Sequence, residues 1–296
     1  MSRIHEALKK AEMERAGVSA EAPPARSQSS QAAANAAVTA GVLTEPIAPG
    51  REAFQFEELR ERCAIASWRP DANVNVFLNP ELSVVGAEQF RSLRSRLYQL
   101  RANQPLRTLL VTSPVAGEGK TFLTNNLGQA IVRQTDRRAL IIDADLRCSR
   151  LHVPLGAASS PGLTDYLRGS ADEIAVMQQG PERNLFFIPG GSACTNPSEL
   201  LSNGRLKNLL ERAGSAFDWI ILDAPPCVPV ADARILADIC DGVLLVIKAG
   251  STPAAVVQKA RRELESANVV GVVLNAAEET VGYGSYYAGT YGGDPE

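Results

Sequence analysis

An α/β fold, with a doubly wound and mostly parallel sheet carrying helices on both faces, is what this 296-residue sequence predicts. Two observations predict it. From Arg107 onward short apolar runs alternate with helix-length stretches, and each run is near-continuous in Val, Ile, Leu or Phe, as in strands buried on both faces. One of the strand-to-helix turns reads SPVAGEGKT, Ser113–Thr121, a Gly-rich loop of the phosphate-binding kind. Sheets of this type bind ligands at the carboxyl ends of their strands.

The elements follow in chain order. Ser2 caps a predicted helix over 3–16 with Ile4, Leu8 and Ala11 on one face, too short to be stable alone, so it either frays or docks on a partner. Residues 18–50 are mostly Ala, Pro, Ser, Gln and Gly without aromatics, a composition that cannot repay the entropy of ordering. A helix is predicted over Ala87–Leu100, with Phe90, Leu93, Leu97 and Leu100 on its apolar stripe. The predicted strands are Thr108–Val111, Ala139–Ile142, Leu185–Ile188, Trp219–Leu222, Val243–Ile247 and Val269–Leu274. Crossover helices are expected over Thr121–Gln134, Pro197–Ala213 and Thr252–Ala267. The organisation expected is therefore a helical arm over 1–17 and a linker with a poorly defined segment over 18–80. A P-loop domain over 81–275 and a flexible Gly/Tyr tail over 276–296 complete it.

Composition narrows the function. The formal net charge of -3 carries no polybasic run, which argues against nucleic acid or an anionic membrane surface as partner. No apolar run reaches the roughly 18 residues that span a bilayer, and the charged N-terminus is not a secretory signal. Cys63, Cys148, Cys194, Cys227 and Cys240 are odd in number and scattered, a reduced cytoplasmic set. Cys148 and Cys227 flank acidic motifs, which fits either a redox role or small buried thiols, whereas His5 and His152 are too few and too far apart for zinc.

In the loop, Gly117 and Gly119 let backbone N–H groups approach phosphate oxygens, Lys120 supplies a positive charge, and Thr121 offers its hydroxyl to Mg²⁺. Pro114 stands where the usual pattern has its first Gly. Two acidic elements accompany the loop. WIILDAPP places Asp223 at a strand end, within reach of a metal shell or as a helix cap. ALIIDADLR places Asp143 and Asp145 after another strand, and such close carboxylates resist ionising together unless a cation sits between them. Arg147 is placed to steady either that pair or the phosphates.

The order GEGKT, LIIDADLR, IILDAPP and a terminal tyrosine cluster resembles the bacterial tyrosine kinases associated with capsule and exopolysaccharide synthesis. PGLTDYLRG at Pro161–Gly169, NPSELL at Asn196–Leu201, and Glu88, Arg91 and Arg94 as an ExxRxxR helix extend the likeness from about Ser83 to the C-terminus. The resemblance implies an ATP- and Mg²⁺-dependent protein-tyrosine autokinase that phosphorylates its own C-terminal tyrosines in trans and so regulates polymer synthesis and export. Lys120, Asp143 and Asp145 would be catalytic, with Asp143 receiving the phenolic proton. Ala116, Gly117, Glu118, Gly119, Lys120, Thr121, Phe122 and Asn275 would hold the nucleotide, and Thr121, Asp145 and Asp223 the metal. Tyr283, Tyr286, Tyr287 and Tyr291, four of the chain's six tyrosines, would be the acceptors. The eight residues from Asn275 to Tyr283 reach at most roughly 28 Å, enough for the chain's own site or a neighbour's. Glu88, Arg91 and Arg94 would join subunits in a ring-like homo-oligomer. The resemblance further implies a separate transmembrane co-polymerase as activator, a tyrosine phosphatase, and a cytoplasmic protein recruited to the inner membrane face. A ParA- or MinD-type ATPase switch shares the fold, but it has an early lysine in the loop where this chain has Val115. A non-catalytic, nucleotide-gated scaffold is the third reading.

Overall fold

The computed structural model describes residues 53–79 and 83–277, so the helix expected over 3–16, the linker at 18–50 and the four tail tyrosines lie outside the described residues. The described residues begin with helix α1 (Phe56–Arg62), edge strand β1 (Ala64–Ile65) and the long helix α2 (Ser83–Asn103). Strand β2 (Thr108–Thr112) leads into α3 (Lys120–Val132), and β3 (Ala139–Asp143) is followed by the short helices α4 (His152–Leu155), α5 (Leu163–Arg168) and α6 (Glu173–Val176). Then come β4 (Gln178–Gln179), β5 (Leu185–Ile188), α7 (Pro197–Leu201), α8 (Arg205–Ala213), β6 (Trp219–Asp223) and α9 (Asp232–Ala237). The described chain closes with β7 (Gly242–Lys248), α10 (Ala254–Glu263) and β8 (Val269–Asn275).

The strands form one eight-stranded sheet in the order β1-β4-β5-β3-β6-β2-β7-β8. Every pairing is parallel except β4 with β5. All six strands read from the sequence are present, within one residue at each end. Their near-continuous hydrophobicity has a direct cause: successive residues feed opposite faces. Leu109, Val111, Ile141, Ile221 and Phe187 join α2 and α3 in one buried cluster, while Leu110, Leu140, Ile142, Leu222 and Phe186 join α1, α5, α8 and α9 in the other.

Three expectations are corrected. Strand β8 is not buried on both faces: Val272 is 53% and Leu274 64% exposed, and among the described residues β8 pairs with β7 alone, at the edge of the sheet. The helix expected over Pro197–Ala213 is two helices, interrupted before Gly204, whose φ of 80° is left-handed and starts α8 anew. Glu88, Arg91 and Arg94 do not form one exposed strip. Glu88 and Arg91 make an exposed ion pair within α2, of small energetic weight, but Arg94 turns inward and donates to the carbonyl of Ala130 at the end of α3.

The segment 53–79, in which the sequence reading placed no element, is part of the core. Phe56 packs edge-on against Phe186 and Phe217, with ring centroids 5.6 and 5.9 Å away, and Trp68 stands 5.9 Å from Phe187 on the opposite face. Asn126, buried in α3, accepts from Val76 N and donates to the carbonyl of Val74, at 2.9 Å each, which pins the end of this segment to the helix that carries the phosphate-binding loop. Phe56→Ala should therefore destabilise the protein by about 3–5 kcal/mol, the usual effect of emptying an aromatic core site. Urea unfolding measures it, and a midpoint equal to wild type would remove this segment from the core.

Candidate active site

The loop between β2 and α3 is shaped by two glycines for different reasons. Gly117 has φ 83°, which a side chain resists, although a Cβ there would meet open space. Gly119 has φ 94° and caps α3, and a Cβ there would lie 2.0 Å from Nδ2 of Asn275. Both turn the backbone so that the loop amides and the N-terminus of the 13-residue α3 converge on one point, a favourable seat for phosphate oxygens. Lys120, the first residue of α3, is 8% exposed and so presents its charge from a largely desolvated position.

The loop is also held from outside. The Glu118 carboxylate is buried and turned into the fold, where it accepts from Lys248 N at the end of β7 and from Thr252 Oγ1 at 2.6 Å. Asn275, the last residue of β8, donates to the Glu118 carbonyl at 2.8 Å. Of the residues expected to contact nucleotide, Glu118 therefore has only its main chain available, and the half-buried Phe122 ring packs 5.9 Å from Phe90. Asn275 sits over the loop as a latch.

The acids stand beside it. Asp143 and Asp223 end adjacent strands and are direct register partners across β3 and β6. Asp143 Oδ2 accepts from Ser149 Oγ at 2.7 Å and Leu151 N at 2.9 Å, and Oδ1 from Asp145 N at 3.2 Å. Burial nevertheless pushes its carboxyl up to about 6. Asp223 is worse off. Burial first, then the charge of Asp143, push it up to about 8, against the pull of Thr121 and Lys120. Thr121 Oγ1 donates to Asp223 Oδ2 at 2.6 Å, while Asp223 Oδ1 is buried with no hydrogen-bond partner. Asp145 is half-buried, accepts from Cys148 N at 3.0 Å, and lies close enough to raise Asp223 further.

Lys120, Thr121, Asp143, Asp145, Asp223 and Asn275, far apart in sequence, thus meet at the carboxyl edge of the sheet. Arg147 feels the charge of Asp145, but its direct bonds go elsewhere. Its guanidinium is taken by Asp232 at 2.7 Å. Sequence reasoning missed Ser149, Glu118's carboxylate bonds and the Arg147–Asp232 pair, because each depends on loops whose course no periodicity reveals. Cys227 is buried, and that burial pushes its thiol up to about 11, the behaviour of an inert core cysteine, while Cys148 is exposed. Among the described residues no group of three or more His, Cys, Asp or Glu side chains forms a metal cage. A hard cation at this edge would be held by one or two carboxylates together with phosphate oxygens. No helix among the described residues is long and apolar enough to cross a membrane.

No protein-family model matches the chain. It is 32% identical over 203 residues to the tyrosine-protein kinase YwqD of Bacillus subtilis, covering 68% of this chain and 85% of that protein. It is 36% identical to the putative tyrosine-protein kinase EpsB of Ralstonia solanacearum over 68% of this chain, but spans only 27% of that longer protein. Among solved structures, the kinase domain of the Escherichia coli tyrosine kinase ETK superposes with a TM-score of 0.65 and 30% identity, over 70% of this chain and 81% of that one. The cell-division ATPase MinD of Pyrococcus furiosus has a TM-score of 0.51 at 24% identity, over 59% of this chain and 74% of that one, which is a likeness of fold. With the phosphate loop and two strand-end acids arranged on that fold, and with the kinase YwqD matched over 85% of its length, this chain belongs to the bacterial tyrosine-protein kinases.

Proposed function

We propose that this chain uses ATP and Mg²⁺ to phosphorylate the tyrosines of its own C-terminal segment, Tyr283, Tyr286, Tyr287 and Tyr291, in trans within a ring-like homo-oligomer. The observation that carries the proposal is the pairing of Asp143 with Asp223 beside the phosphate loop, at the edge from which the tail departs after Asn275.

The residues fit a divalent cation. Asp223 Oδ1 is a buried acceptor with no donor, and burial first, then the charge of Asp143, raises its carboxyl, a penalty that a cation placed there would relieve. Mg²⁺ would be held by Thr121, Asp145 and Asp223 together with phosphate oxygens, and it would supply neutralisation of charge on the transferring phosphoryl group. The chain's own contribution is placement. Loop amides and Lys120 orient the phosphates, and the glycines keep bulk away from them. Asp143 takes the phenolic proton. A carboxyl near 6 is still mostly ionised at neutral pH, yet it is a stronger acceptor than an ordinary aspartate. Phosphoryl transfer has a loose transition state, so the proton leaves late and a carboxylate suffices.

The kinship with capsule- and exopolysaccharide-associated kinases supports a role in regulating polymer synthesis, with a transmembrane co-polymerase as activator, a tyrosine phosphatase as antagonist, and recruitment to the cytoplasmic face of the membrane. Ring assembly would use Glu88 and Arg91, whose exposed pair is free to exchange partners, while Arg94 serves the fold through Ala130.

Incubation with radiolabelled ATP and Mg²⁺, with mapping of the labelled residues, tests the proposal. Lys120→Met should abolish labelling without lowering the unfolding midpoint, since its charge and not its stem is at issue. Changing all four tail tyrosines to Phe should remove nearly all incorporated phosphate and leave ATP binding intact. ATP hydrolysis by wild type with no labelled protein would point instead to an ATPase switch.

A pH experiment tests the acid pair. Asp223 binds its proton more tightly when folded than when unfolded, so its contribution to stability is full below its unfolded value near 4 and is lost as pH rises toward 8. Without divalent cation, wild type should therefore lose stability relative to Asp223→Asn between pH 5 and 8, by more than about 1 kcal/mol. Thermal unfolding of both proteins across that range measures the gap, and parallel curves would refute it.

A further inference from the structure

The segment between β3 and α4 carries Asp145 away from the sheet, and strand pairing does not fix where it goes. Its internal bonds are local: Cys148 N reaches Asp145 Oδ1 at 3.0 Å, and Asp145 N reaches Asp143 Oδ1 at 3.2 Å. They set the shape of the turn but not its position over the phosphate loop. Ala144 N donates to the Asp223 carbonyl at 2.8 Å and Leu146 is buried in the core, which anchors the start of the turn, and Arg147 ties its far side to the rest of the fold. Its Nε donates to Asp232 Oδ2 at 2.7 Å and its Nη2 to Asp232 Oδ1 at 3.0 Å, a two-pronged grip on a carboxylate that is 0% exposed. Ser198 closes the triangle, accepting from Arg147 Nη2 at 3.2 Å and donating to Asp232 Oδ1 at 2.6 Å. Burial alone would raise the Asp232 carboxyl, but Arg147 and Ser198 outweigh it and hold it below the ordinary range, so the pair is ionised. Three segments from separate parts of the chain meet in this clamp: the turn bearing Asp145, the start of α7, and the start of α9, which follows the strand ending in Asp223.

We propose that Arg147, gripped by Asp232 and Ser198, is a positioning residue that sets Asp145 at the right height over the phosphate loop to share a divalent cation with Asp223. The residue touches neither phosphate nor acceptor; it acts through the turn on which Asp145 rides. This rests on the kinase reading above for what the cation serves, but the clamp's effect on cation use is measurable without phosphoryl transfer. An arginine is needed because only a planar fork meets both carboxylate oxygens while its edge still reaches Ser198, and a lysine ammonium satisfies one at a time.

The test uses the full chain and a fluorescent ATP analogue, titrated in EDTA and again in Mg²⁺, on wild type, Arg147→Ala, Arg147→Lys, Asp232→Asn and the double variant Arg147→Met/Asp232→Leu. The double variant leaves no orphaned buried charge, so it folds even where a single change does not. In EDTA all five should bind the analogue within about threefold of one another, because the loop and Lys120 are untouched. The gain in affinity on adding Mg²⁺ should shrink at least about tenfold in Arg147→Ala, Asp232→Asn and the double variant, the usual scale for losing a residue that orients a metal ligand. Arg147→Lys should recover part of it. In tyrosine labelling with Mg²⁺–ATP, kcat/KM for ATP should fall in the same order. A folded double variant that keeps the full Mg²⁺ gain overturns the clamp, as does a wild type with no Mg²⁺ gain at all. If wild type shows the gain but labels no tyrosine, the kinase reading falls, and the Mg²⁺ titration still decides the clamp.

Discussion

Two carboxylates that repel each other are built into adjacent strands of this sheet, and the neighbouring structure is arranged around that conflict. Asp143 and Asp223 are register partners, so the parallel pairing of β3 with β6 fixes their spacing before any loop is formed. Ser149 and Leu151 bond Asp143, and Thr121 bonds half of Asp223, but the remaining oxygen is left without a donor. A fold that only had to be stable would place an apolar side chain at one of these positions. Keeping both acids is the mark of a site awaiting positive charge.

A second constraint runs from the phosphate loop to the far end of the chain. Glu118 fastens the loop to β7 and α10's entry through Lys248 and Thr252, and Asn275 fastens it to the end of β8. The loop that holds phosphate and the strand from which the tyrosine tail departs are therefore mechanically one piece. Gly119 makes that possible, because any larger residue would push Asn275 away.

The sequence was informative wherever chemistry coincides with periodicity. Six strands, the phosphate loop and both strand-end acids were legible because buried parallel strands are uniformly apolar and an Asp at the end of such a run stands out. What it concealed was irregular. Phe56, Leu59 and Cys63 do keep a helical i, i+3, i+7 spacing, but over a single seven-residue helix, and Trp68 lies in no helix or strand, so the segment's burial against both faces of the sheet gave only a faint signal. The break at Gly204 was signalled by a single glycine inside an otherwise helical pattern. The inward turn of Arg94 and the capture of Arg147 by Asp232 depend on partners 36 and 85 residues away, a relation that spacing along one element does not encode.

The unpartnered oxygen of Asp223 has a consequence for how the site fills. With its carboxyl raised to about 8, the empty site carries a proton there for much of the neutral range. On the proposed reading, proton and divalent cation would compete for one buried oxygen, and an entering metal would displace the proton. Loading would then be an exchange rather than a simple association, with acid released to the medium as the metal arrives. Acidification of the surroundings would then mimic scarcity of the metal, with no change in the amount of either metal or nucleotide.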